Sequence, residues 1–104
     1  MIRACCDGTT LSLQGHAGAA PYGQDLVCAA VSGLVYALAQ RLTELEKQGL
    51  LETPPRIRLA SGDAEISAVA KAPYEQKVAE DFHLIESGLR LLQNHYPDQL
   101  KLTV

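Results

Sequence analysis

Residues Thr10–Gly49 read TLSLQGHAGAAPYGQDLVCAAVSGLVYALAQRLTELEKQG, and the spacing of apolar residues changes along them. Leu11 and Leu13 alternate with Ser12 and Gln14, the period-two pattern of a strand with one buried face. Gly15 ends that strand. The segment HAGAAPYGQ that follows carries two glycines and a proline among small residues, which is loop composition. From Leu26 the spacing becomes helical: Val27, Val31, Leu34, Val35, Leu38, Leu42 and Leu45 form one stripe. This predicts a helix over 26–48, capped by Asp25 and stopped by Gly49. Its first three turns are apolar or small nearly all round, so cover is expected on more than one side, from a sheet, a second helix or another subunit.

Outward from this stretch the same logic places the remaining elements. Ile2–Cys6 and Thr10–Gln14 flank Asp7-Gly8, a dipeptide suited to a tight hairpin turn. Pro54-Pro55 breaks the chain after the helix, and Arg56–Ala60 and Glu65–Val69 form a second hairpin around Ser61-Gly62-Asp63. A second helix follows Pro73, with Val78, Phe82, Ile85, Leu89, Leu92 and Tyr96 at helical spacing until Pro97. Leu100, Leu102 and Val104 alternate as a closing strand. The predicted fold is a small α/β (α+β) domain, β-β-α-β-β-α-β, with a mainly antiparallel sheet packed by two helices on one or both faces.

At 104 residues the chain is read as one domain over 1–104, and 47% hydrophobic residues argue against disorder. A net charge of -3 supplies no overall basic field for nucleic acid, so no direct nucleic-acid partner is expected. Three cysteines, an odd number, do not make a disulfide framework, which favours a reducing, cytoplasmic setting. The start MIRACCDG lacks the apolar core of a signal peptide. The longest apolar run, Leu26–Ala39, falls short of the roughly 20 residues a bilayer demands, so no membrane association is expected.

Cys28 is the informative cysteine. As third residue of the helix it sits where unpaired N–H groups and the positive end of the dipole favour a thiolate, with a negative Asp25 partly opposing. His16, across the loop, is placed to take the thiol proton and return it to a leaving amine. A cysteine early in an apolar helix is also an ordinary small core residue, and a lone histidine at a strand end an ordinary rim residue. Cys5 and Cys6 are adjacent on a strand and point to opposite faces. His83 lies on the polar side of the second helix, and His95 near that helix's end, where a dipole contact explains it. No zinc-ligand spacing, phosphate loop or dinucleotide motif occurs, so no metal or cofactor is expected.

The stretch Gly15–Ser32, GHAGAAPYGQDLVCAAVS, resembles the signature of the ribosomal-processing cysteine proteases, the Prp family: G-H-A, a variable loop, then G-x-D-[IL]-V-C-A-[AG]-x-S. Gly15, His16, Ala17, Gly23, Asp25, Leu26, Val27, Cys28, Ala29, Ala30 and Ser32 match it. The loop departs from many members in being alanine-rich, with Pro21 and no charge. The resemblance implies an endopeptidase that removes the N-terminal extension of a large-subunit ribosomal protein precursor during ribosome assembly. It implies Cys28 as nucleophile and His16 as base, with Asp25, Ser32, Gly23 and Ala29 in substrate-binding or supporting positions. It also implies a homodimer and an extension ending in an aromatic residue. The glycine-bearing loop Ala17–Gln24 reads as a lid over bound peptide. Backbone N–H groups at the helix start, that of Cys28 among them, are the expected oxyanion donors. Two other readings stand beside this one: a non-enzymatic peptide-binding or ribosome-assembly module, and a thiol-redox protein pairing Cys28 with Cys5 or Cys6.

Overall fold

Tight glycine turns and alternating apolar residues build a sheet with one covered face. A computed structural model describes residues 1–16 and 25–104. In it β1 (Ile2–Asp7) and β2 (Thr10–Gln14) precede α1 (Leu26–Lys47), and β3 (Arg56–Ala60) and β4 (Asp63–Ser67) precede α2 (Glu75–His95) and β5 (Leu100–Thr103). One 3₁₀ turn, Ala72–Tyr74, leads into α2. The strands lie in the order β3-β4-β2-β1-β5, antiparallel except for the β1–β5 pair, which is parallel. The predicted element order and the mainly antiparallel pairing are both present.

Register explains why one face alone is covered. Ala4 stands opposite Leu13, and Leu13 opposite Ala64; Cys6, Leu11 and Ile66 form the next row. These rows are apolar and join the core with Val31, Leu38 and Leu42 of α1 and Val78, Phe82 and Leu89 of α2. The intervening residues Arg3, Cys5, Asp7, Thr10, Gln14 and Glu65 are exposed on the opposite face. Both helices therefore share one side of the sheet. Gly88 makes their close approach possible, since a Cβ there would lie 3.0 Å from Leu34 Cδ1. Arg41 of α1 reaches Asp81 of α2 at 3.2 Å about two helical turns away.

The end of α1 is a Schellman motif. Leu50 N–H bonds to the Leu45 carbonyl (3.1 Å) and Gly49 N–H to that of Glu46 (3.0 Å), with Gly49 at φ 77°. The second hairpin departs from expectation: β4 spans Asp63–Ser67 rather than Glu65–Val69. The loop is two residues, Ser61-Gly62, with Gly62 at φ 72° and Asp63 already paired with Ala60. Val69 lies beyond the ladder, where its carbonyl accepts Glu52 N–H at 2.8 Å. Leu92 is half-buried and Tyr96 exposed, so the buried stripe of α2 ends at Leu89.

α1 also exceeds the apolar run read from sequence. It is 22 residues long with a mean hydropathy of 1.5 over 18 of them, enough by length and composition to cross a membrane. Six of its side chains, from Val27 to Leu45, are instead buried in the core.

Candidate active site

The start of α1 is fixed by one carboxylate. Asp25 is the only buried charged residue among those described. Its Oδ1 accepts the N–H groups of Val27 (2.9 Å) and Cys28 (3.1 Å), and its carbonyl accepts that of Ala29 (3.1 Å). The predicted cap is thus in place. The Cys28 N–H, one of the expected oxyanion donors, is engaged by the Asp25 carboxylate.

His16 is set by a second turn. Gly15 N–H donates to the Gly62 carbonyl at 2.8 Å, joining the end of β2 to the β3–β4 turn. Gly15 has φ 96°, and a Cβ on it would lie 2.3 Å from the Met1 carbonyl oxygen, so no other residue fits there without movement. The imidazole of His16 lies against Gly62, whose Cβ, if present, would stand 2.7 Å from Nε2.

The two turns face each other across a groove of about 670 Å³. Cys28, Ser32, Val35 and Tyr36 line one wall, their spacing placing them on one face of α1. His16 and the hairpin from Leu59 to Ala64 line the other. Asp25 and Ala29 also border it, so five of the six residues singled out from sequence converge on one cavity. Gly23, and the whole proposed lid over 17–24, lie outside the described residues. Cys28 is half-buried, and the sulfur is carried at the groove rather than sealed in the core.

Sequence reading missed Leu59, Ser61, Gly62 and Tyr36. Tyr36 had a signal: it follows Cys28 and Ser32 at intervals of four. The hairpin residues had none, because only strand order brings them beside His16. Cys5 is exposed and Cys6 is buried, each on its own face of β1, and neither lines the groove. That separation weighs against a redox partnership with Cys28. His83 is exposed on α2, and His95 Nδ1 lies 3.0 Å from the Leu91 carbonyl near the end of that helix.

A family model for the cysteine protease Prp matches residues 2–101. The chain belongs to that family. It is accordingly a cysteine protease. Among solved structures, the Staphylococcus aureus ribosomal processing protease Prp with a covalently linked product peptide is similar at 19% identity. That match covers 98% of this chain and 95% of the other, with a TM-score of 0.73. The same S. aureus protease with a substrate peptide gives 18% identity, 99% and 98% coverage, and a TM-score of 0.72. SMU.848 from Streptococcus mutans gives 26% identity, 99% and 92% coverage, and a TM-score of 0.68. At such identities the two S. aureus structures establish the shared fold. No curated protein matches the chain. The family membership favours a protease over the non-enzymatic module.

Proposed function

We propose that Cys28 and His16 are the nucleophile and base of an endopeptidase that removes the N-terminal extension of a large-subunit ribosomal protein during ribosome assembly. The observation that carries this reading is the convergence of Cys28, His16 and Ser32 on one groove, from residues matching the family signature. The processing role draws on the solved relative, an S. aureus ribosomal processing protease that binds a substrate peptide. His16 takes the proton from Cys28, and the thiolate attacks the scissile carbonyl carbon. The tetrahedral intermediate collapses as His16 protonates the departing amine, which leaves an acyl-thioester on Cys28. Water, deprotonated by His16, then attacks the thioester, releasing the carboxylate and restoring the thiol. Ser32, one turn after Cys28, and Ala29 at the groove's edge border the bound peptide.

The protease domain is taken as residues 1–104, working in the cytoplasm as a homodimer without direct nucleic-acid contacts. Support for the dimer lies in apolar side chains left outside the groove: Leu26 on α1 and Leu84 and Leu91 on α2 are 59–80% exposed. The deciding experiment incubates the extended ribosomal-protein precursor with the protein and follows the extension by mass spectrometry. Wild type is expected to release one fragment, while Cys28→Ala, Cys28→Ser and His16→Ala each lose cleavage by at least about a thousandfold. Cleavage by Cys28→Ala at the parent rate overturns the assignment.

A further inference from the structure

The edge of the sheet beside the groove has a use that the nucleophile and base do not exhaust. β3 is an outermost strand among the described residues, and all five of its residues are exposed. Such an edge presents a row of backbone donors and acceptors that a second extended chain can pair with. Which groups face outward follows from the turn. Ala60 and Asp63 flank a two-residue loop and so form the hydrogen-bonded pair that closes the hairpin. Alternation then makes Arg58–Glu65 and Arg56–Ser67 the next bonded pairs and turns the N–H and C=O of Ile57 and Leu59 away from β4. The side chains of these two residues point to the helix side, in the rows of Ile66 and Ala64.

Resting on the protease reading, we infer that the outer edge of β3 is the docking strand for the substrate backbone, which adds to the sheet as a sixth strand through Ile57 and Leu59. The occupant is a peptide rather than a second copy of the chain, because this edge is continuous with the catalytic groove: Leu59 and Ala60 line the same cavity as Cys28 and His16. A chain paired there points every second side chain into the groove, where Leu59, Tyr36, Val35 and Ala64 offer apolar surface. The intervening side chains emerge on the polar face beside Arg56 and Arg58. The substrate class is thus an extended segment with apolar residues at alternate positions. Main-chain bonds supply affinity independent of sequence, and the groove supplies selection.

The test uses a synthetic peptide spanning the junction between the ribosomal protein's extension and its mature start. With 15N-labelled Cys28→Ala protein, adding the peptide is expected to slow exchange of the Ile57 and Leu59 amides about tenfold or more and leave Arg58, already laddered, unchanged. With wild type, N-methylating the peptide one amide at a time is expected to raise KM at alternate positions only. This perturbation sits on the substrate and so cannot unfold the protein. Cleavage with a flat methylation profile and unchanged Ile57 and Leu59 exchange overturns strand addition while the protease reading stands. Protection of these amides by raising protein concentration without peptide assigns the edge to a second copy and likewise overturns it. Neither cleavage nor protection sinks both.

Discussion

Gly62 is the residue on which the imidazole rests. A side chain there would bring a Cβ within 2.7 Å of His16 Nε2, and its φ of 72° strains any residue that tolerates the left-handed region poorly. Asparagine accepts that region, so Gly62→Asn separates the two effects. Stability is expected to fall by less than about 1 kcal/mol, while kcat drops as the imidazole is displaced. A normal kcat would show that Gly62 serves the turn alone. Cys6 gives a second prediction from a buried thiol. Burial first, then the neighbouring Glu86 carboxylate, push it up from 9.0 to about 11. The fold therefore favours the protonated form. That contribution is complete below the unfolded value near 9 and is lost as pH rises from about 9 to 11, by about 1.4 kcal/mol per unit. Urea titrations over this range should show a steeper decline for wild type than for Cys6→Ala; parallel declines would refute it.

The first helix is set at both ends by local chemistry that its sequence displays. Asp25 holds the N–H groups of Val27 and Cys28, and Gly49 closes the Schellman turn. Asp25→Ala is expected to cost about 1 kcal/mol of stability, as cap losses do, and Asp25→Asn almost nothing, since asparagine caps as well. If Asp25 is cap alone, Asp25→Asn also keeps peptide cleavage near the parent rate; thermal melts and initial rates on one sample decide this. The second hairpin was harder to read. Ser61-Gly62-Asp63 permits loops of two or three residues, and nothing local selects one. The choice follows where Ile66 must stand to share a row with Leu11. A shift of one residue would turn Ile66 out to the polar face.

Across the whole molecule, two helices on one side of five strands leave the other sheet face polar and the outer helix faces partly apolar. The all-round apolar start of α1 is therefore not fully covered by the described residues. Sheet and α2 bury one stripe, while Leu26 stays 80% exposed and Tyr36 61%. From this we expect sedimentation at micromolar concentration to return twice the 11.2 kDa chain mass, and Leu84→Glu with Leu91→Glu to return one. A monomer for the parent protein removes the dimer. The same arrangement leaves β3 at the rim, next to the groove, where an incoming strand meets no steric barrier from the described residues.

The sequence by itself determined the periods, caps and breaks: alternation in β1 and β2, the Asp25-to-Gly49 span of α1, the proline limits of α2, and the motif joining His16 to Cys28. Each depends on residues a few positions apart, whose spacing and backbone preferences are written locally. Only the tertiary structure decided that the β3–β4 turn supports His16, that Leu59 and Tyr36 complete the groove, and that both helices share one sheet face. Those outcomes depend on strand order and register, which bring distant segments together through the burial of shared apolar rows, and no local pattern encodes that choice.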